Sequence, residues 1–324
     1  MMQNLAIIGS GNIAPFHILA AQAAGFKVTG ISGSDYSESA RDLSIEHGIP
    51  YYFKKTRELL DSNVFDCLAL LVPPSVAPEL IKEIVKINVP AIIEKPGALS
   101  SGALTDFLGN NNIFFGFNRR FYQTIKDLVE VNLYQDGLFF FTAAESIDSN
   151  LATFDEIEYQ ILTNTVHILD LIKFIIGDFD LQNFAYSPIN NILRSRIFQK
   201  HSYKGELEIS FNSKKNTGVE FENEKLNISI RPLEYSQKYD SLETISPRAN
   251  FPVKRYVPTW KQGKNSNKIT ESGIFKPGFF LQYIDFFNHC NFSHQKTNLA
   301  TVSDAQFALG KSELLISEYR KYLT

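Results

Sequence analysis

A doubly wound parallel α/β sheet, followed by an α+β domain built on an open, mostly antiparallel sheet, is the architecture this chain predicts. Short β-rich apolar runs alternate with helical patterns through the first third. The rhythm changes after about Asn118, and beyond Leu207 the runs alternate apolar and polar residues, as strands with one solvated face do. The 324 residues, set against a typical domain of roughly 150, give about two domains. The expected division is residues 1–118 and residues 119–324.

Leu5 to Ile8 reads as the first strand, and the Ala-rich Ile13 to Ala24, closed by Gly25, as the first helix. Val28 to Ser32 is the second strand, and Ser37 to His47 is a helix stopped by Gly48. A short helix from Thr56 to Leu60 precedes Asp66 to Val72, a strand apolar enough to be covered on both faces. Glu79 to Ile87 is amphipathic, Ala91 to Glu94 a strand, Ser101 to Leu108 a helix and Ile113 to Phe117 a strand. The second part opens with a helix from Tyr122 to Val131, a strand from Leu138 to Ala144 and an apolar helix from Gln160 to Ile176. Leu207 to Phe211, Thr217 to Glu222 and Leu226 to Ile230 read as antiparallel strands. Arg255 to Phe275, rich in Lys, Asn, Ser and Gly without period, reads as a mobile loop, and helices at Phe279 to Cys290 and Ser303 to Lys321 follow.

Composition removes several classes of function. With 32 Lys and Arg against 35 Asp and Glu the formal charge is −3, so no basic excess answers a nucleic-acid backbone. Nothing at the first residues resembles a cleavable signal, and no apolar run approaches the roughly 18 residues a membrane helix needs. The two cysteines, Cys67 and Cys290, belong to no CxxC or Cys/His cluster. A cytoplasmic setting without a metal site is expected.

Ile8-Gly9-Ser10-Gly11-Asn12-Ile13-Ala14 joins the first strand to the first helix with a GxGxxA pattern. Gly9 lets the chain turn, Gly11 lets backbone amides approach a pyrophosphate, and Ala14 allows close packing of helix on strand. The amides of Asn12 and Ile13 open the helix towards that charge. The other reading is a glycine-rich turn of the kind any α/β protein uses; the position between strand and helix, at the head of a βαβ series, favours a dinucleotide. At the end of the second strand, Ser32-Gly33-Ser34-Asp35 has small residues where NAD readers carry an acid. Gly33 and Ser34 leave room for a 2′-phosphate but no Arg adjoins them, which puts NADP only slightly ahead of NAD, and Asp35 reads equally well as the cap of the next helix. Pro73-Pro74 and Glu94-Lys95-Pro96 each end a strand at the carboxyl edge of the sheet, where open α/β folds bind ligands.

The GxGxxA turn, Glu94-Lys95-Pro96, Asn118-Arg119-Arg120-Phe121 and the His-x-x-Asp of His167 and Asp170 together resemble the Gfo/Idh/MocA family of NAD(P)-dependent sugar and polyol oxidoreductases over nearly the whole length. The resemblance implies an N-terminal Rossmann domain and a C-terminal domain for substrate binding and oligomerisation, with a homodimer or homotetramer as the assembly. It implies that Lys95 reaches the substrate hydroxyl near the nicotinamide while Glu94 and Pro96 shape the loop, and that Asn118 and Arg119 line the nicotinamide and substrate side. An ammonium in that place polarises the reacting C–O bond. Arg120 reads equally well as the partner of an acid.

Two departures stand out. Members that oxidise polyols place an Asp four residues before the His, and that position here is Thr163, which bonds hydrogen but cannot act as a base. Asn164, three before His167, shares its face in an α-helix and becomes the orienting group if the alignment slips by one. The proton acceptor is then His167, whose other reading is a core histidine paired with Asp170. The second departure is Pro78, where members often carry a His.

The function expected is hydride transfer to or from a secondary alcohol carbon of a sugar, polyol or nucleotide-linked sugar, with NAD or NADP. The segments Ile230 to Glu234 and Phe275 to Phe279 resemble those of members encoded with bacterial surface-polysaccharide pathways, and the resemblance tilts the substrate towards a nucleotide-linked sugar, its diphosphate met by Lys254, Arg255 and Lys261, whose other reading is a solvated loop. One alternative is a dinucleotide-binding sensor of the same fold that has lost turnover. Another is redox-neutral chemistry on a tightly held NAD.

Overall fold

The computed structural model describes residues 3–134, 136–147, 152–245, 255–262, 275–292 and 297–322. The chain opens β1 (Asn4–Ile8), α1 (Ala14–Ala23), β2 (Lys27–Ser32), α2 (Glu38–Glu46), β3 (Tyr51–Phe53), α3 (Thr56–Leu60), β4 (Cys67–Leu70), α4 (Ala77–Ile87), β5 (Ala91–Ile93) and β6 (Ile113–Phe115). It continues α5 (Gln123–Tyr134), β7 (Leu138–Ala144), α6 (Phe154–Gln160), α7 (Val166–Ile176), β8 (Asp180–Ser187), β9 (Ile192–Gln199), β10 (Ser202–Ser210), β11 (Gly218–Glu222), β12 (Asn227–Ile230), β13 (Ser236–Ile245), β14 (Arg255–Gln262), α8 (Phe279–Asn291), β15 (Ala300–Thr301) and α9 (Val302–Arg320).

Two compact units divide the chain. The first takes in Met1–Phe121, Ile161–Asp170 and Ile269–Ile316, and the second Tyr122–Gln160, Leu171–Lys268 and Ser317–Thr324. In the first, the strands lie in the order β15-β6-β5-β4-β1-β2-β3, all parallel except β15, which pairs antiparallel with β6. The doubly wound sheet of the sequence reading is therefore present, and its order reverses between β1 and β4, the crevice where such sheets take ligands. The central strands are apolar because helices cover both faces: all four residues of β4 are buried, as are Leu5 to Ile8 of β1. Pro15 sits in the first turn of α1 and Pro78 in that of α4, where a missing N–H breaks no helical bond. That local fit explains Pro78 without reference to a ligand.

The second unit holds an eight-stranded sheet in the order β14-β13-β12-β11-β7-β10-β9-β8. Every pair is antiparallel except β7 with β10. Its core is aromatic: the rings of Phe139, Phe141 and Phe221 are buried and in contact.

Three of the segments assigned from the sequence take another form, and strands β3, β8, β9, β13 and β15 lie where it assigned no element. The segment expected as a loop from Arg255 begins with strand β14, in register with β13 from Arg255 opposite Ile245 to Gln262 opposite Gln237. Arg255 and Lys261 belong to that strand, whereas Lys254 and residues 263–274 lie outside the described residues. The expected helix from Ser101 to Leu108 is a 3-10 helix, Gly102–Phe107. The expected continuous helix from Gln160 to Ile176 is interrupted: a π-helical turn, Ile161–Thr165, joins α6 to α7.

Candidate active site

The glycine turn is built by the meeting of β1 and β4. Gly9 has φ +116°, and a Cβ there would run into the Leu71 backbone, so only glycine fits. Its N–H donates to Ser32 O at 2.8 Å and the Leu71 N–H donates to Ile8 O at 2.7 Å, which clamps the turn between its two neighbouring strands. Gly11 is the opposite case: a Cβ added to it would meet no atom within 4 Å. Gly11 and Asn12 are exposed and Ile13 half-buried. α1 starts without a side-chain cap and without an acid in its first turn; the Ala14 N–H donates to Gly11 O at 2.9 Å and Pro15 has none, so the amides of Asn12 and Ile13 are the ones that would meet an anion. A diphosphate fits this cradle by shape and by charge.

At the end of β2, Ser34 and Asp35 are exposed. The cap of α2 is Ser37, whose hydroxyl accepts the Ala40 N–H at 3.2 Å; Asp35 does not cap the helix. Ser10 of the glycine turn reaches across to this place. Its Oγ lies 3.0 Å from Ser37 Oγ and 2.7 Å from Ser39 Oγ, a group of three hydroxyls where an acid would stand in an NAD reader. At the end of β4, the Pro73 carbonyl accepts the Val76 and Ala77 N–H groups and so starts α4, which leaves Pro73 exposed and Pro74 half-buried at the sheet edge.

At the end of β5 the Glu94 N–H donates to Leu70 O at 2.8 Å, holding the strand register as far as Glu94. Lys95 follows, half-buried, and its Nζ donates to the backbone carbonyl of Thr163 at 2.7 Å. The π-helical turn matters here, because its wider ladder displaces carbonyls from the ordinary helical pattern and such turns recur at functional sites. The same turn removes the α-helical spacing by which Asn164 was expected to share the face of His167. Thr163 and Asn164 are both half-buried.

His167 lies one residue into α7, only 6% exposed, with its ring edge-on to Phe117 at 5.7 Å between centroids. Burial pushes the imidazole well below its usual pKa, and the charges of Lys95, Arg119 and Lys276 push the same way. Its Nδ1 is buried and has no hydrogen-bond partner among the described residues. Asp170 is not that partner. Both of its oxygens are taken by Arg120, with Nε at 2.8 Å and a terminal nitrogen at 2.5 Å, while Asp304 approaches the same guanidinium at 3.3 Å. Burial opposes the charge on Arg120, but Asp170 and Asp304 outweigh it and hold its pKa above the usual value. Asn118 is buried, and its Nδ2 donates to the Pro277 carbonyl at 2.8 Å, which fixes the neighbouring Lys276. The Lys276 ammonium stands over the rings of Phe16 and Phe279 at 5.7 and 5.5 Å.

Gly9, Gly11, Asn12, Ile13, Ser34, Pro73, Pro74, Glu94, Lys95, Asn118, Arg119, Thr163, Asn164 and His167 all belong to the first unit, in which Lys95 contacts Thr163. Sequence reasoning missed His17, Tyr283 and the charge of Lys276. A His on the inner face of α1 was the available signal for the first of these.

Residues 3–108 match the model of an oxidoreductase family with an NAD-binding Rossmann fold. No curated protein matches the sequence. Among solved structures, the fold is similar to levoglucosan dehydrogenase in complex with NADH, at TM-score 0.76, 16% identity and coverage of 99% of this chain and 98% of that one. It is also similar to UDP-N-acetylglucosamine 3-dehydrogenase from Acidithiobacillus ferrooxidans, at TM-score 0.73, 14% identity and coverage of 98% and 97%. An oxidoreductase from Agrobacterium radiobacter in complex with NAD+, L-tartaric acid and magnesium gives TM-score 0.75, 15% identity and coverage of 97% and 95%. With its glycine turn, its strand order and the match over residues 3–108, the first part of the chain is similar to the NAD-binding Rossmann domain of the Gfo/Idh/MocA oxidoreductases.

Proposed function

We propose that this chain is a nicotinamide-dinucleotide-dependent dehydrogenase or reductase that acts on a secondary alcohol carbon of a sugar, polyol or nucleotide-linked sugar. The observation that carries the reading is the Lys95 ammonium bonded to Thr163 O at 2.7 Å, with His167 four residues further along the same stretch. Gly9, Gly11, Asn12 and Ile13 would hold the diphosphate, and Ser34 with the three-serine group would face the adenosine ribose. The nicotinamide, when bound, supplies the acceptor or donor of the hydride. The Thr163 carbonyl orients the ammonium, which has three donors and so serves a substrate oxygen as well. Lys95, Arg119 and Lys276 make the local potential positive, which stabilises negative charge growing on that oxygen. Burial, with the same charges adding to it, keeps His167 neutral near pH 7, the state in which an imidazole accepts the hydroxyl proton. The fold shared with levoglucosan dehydrogenase and UDP-N-acetylglucosamine 3-dehydrogenase supports a sugar carbon as the reacting centre. Assembly through the open sheet of the second unit, as a homodimer or homotetramer, completes the reading and is measured by light scattering.

The test is absorbance of the reduced nicotinamide with NAD and NADP against a panel of sugars, polyols and sugar nucleotides, with mass spectrometry of any nucleotide that copurifies. Turnover by wild type that Lys95→Met abolishes is the expected result. Tight dinucleotide binding without turnover across the panel, and without exchange of hydride between substrates, would overturn it in favour of a sensor.

A further inference from the structure

His17 is completely buried on α1, and Tyr283, completely buried on α8, meets it: the phenol oxygen lies 2.9 Å from His17 Nδ1. The rings of Phe279 and Tyr283 pack edge-on against the imidazole at 4.7 and 5.7 Å. On its other side His17 Nε2 faces Glu94 Oε2 at 3.3 Å. That pair is close but off the line of a hydrogen bond, and neither atom has another partner among the described residues. Burial, with the charge of Glu94 and then Cys67 adding to it, raises the Tyr283 phenol well above its usual pKa, so it keeps its proton. With the phenol as donor to Nδ1, the ring proton sits on Nε2, on the side that faces Glu94 Oε2 at 3.3 Å. The contact of His17 Nε2 with Glu94 Oε2 at 3.3 Å, backed by the Tyr283 phenol on Nδ1, sets the Glu94 carboxyl against α1.

Glu94 directly follows β5 (Ala91–Ile93) and Lys95 opens the turn after it, so the two side chains leave one short stretch of backbone. Holding the first against α1 constrains the backbone from which the second reaches the Thr163 carbonyl. We propose that Tyr283 and His17 are positioning residues, acting through Glu94 to aim the Lys95 ammonium at the Thr163 carbonyl and the reacting hydroxyl. The inference rests on Lys95 being the substrate-facing group.

Tyr283→Phe removes one oxygen and keeps the ring; His17→Gln is the second variant, and melting temperatures check that both fold. Two readouts follow. In the first, the Lys95 ammonium resonance of 15N-lysine-labelled protein, assigned by its loss in Lys95→Met, shifts or vanishes in both variants. This needs no substrate, so it stands even if turnover is never found. In the second, with a substrate identified as above, kcat falls about tenfold while KM and the NADH Kd stay within about twofold, and neither variant has further effect in a Lys95→Met background. An unchanged Lys95 resonance would overturn the proposal, as would equal losses with and without Lys95, which mark a purely structural role.

Discussion

Both carboxylate oxygens of Asp170 face the Arg120 guanidinium, at 2.8 and 2.5 Å, inside a site that water does not reach. The pair joins the 3-10 turn Asn118–Phe121 to α7, and so sets where Asn118, Arg119 and His167 stand relative to one another. Removing one partner strands the other charge in the interior. Arg120→Met should therefore cost about 3–5 kcal/mol in urea unfolding, and adding Asp170→Leu should recover part of that loss. A cost below about 1 kcal/mol would show the pair to be solvated.

Lys95 is held by a main-chain oxygen, and this separates two substitutions. Lys95→Met removes the ammonium and should lower kcat by about 10²–10⁴-fold. Thr163→Ala keeps the carbonyl that accepts from Lys95, so kcat should stay within about threefold of wild type. A large loss in Thr163→Ala would mean that the hydroxyl, not the backbone, is the functional group.

The pH dependence follows from His167. Its folded-state pKa lies well below the ordinary value of about 6.5, so the unfolded chain binds the extra proton first as pH falls. The stability from keeping this imidazole neutral is complete above about pH 6.5 and is lost as pH falls from there to the folded-state value. Melting temperature should drop as pH falls below about 6.5, and His167→Asn should flatten that drop. In the oxidative direction, kcat/KM should hold its plateau through about pH 6.5 and fall only in more acid solution.

The alternating pattern made the doubly wound sheet legible, because buried parallel strands must be apolar and their helices amphipathic, and the GxGxxA turn located its ligand crevice. β14 was hidden by its polar composition, which an edge strand tolerates since only one side is paired. The contact between Lys95 and Thr163 was hidden for another reason. It uses a carbonyl in a π-helical turn, and neither the carbonyl nor the turn leaves a mark in residue types. Asp170 was open to two readings because His167 and Arg120 are both plausible partners for an acid; the choice depends on which one the 3-10 turn brings within reach.

The two glycines of the fingerprint carry different loads, and substitution separates them. At Gly9 a side chain meets the Leu71 backbone and the positive φ is strained for any L-residue, so Gly9→Ala should destabilise the fold by about 2 kcal/mol or more whether or not a dinucleotide is present. At Gly11 nothing lies within 4 Å of an added methyl, and its φ is not among the positive ones. Gly11→Ala should therefore fold with nearly unchanged stability. If the diphosphate lies against that glycine, the new methyl stands where the ligand must come, and dinucleotide affinity should fall by about tenfold or more, at a cost near 1.4 kcal/mol. Fluorescence titration with NADH beside thermal melting gives both numbers. Unchanged affinity in a well-folded Gly11→Ala protein would remove the diphosphate from the turn.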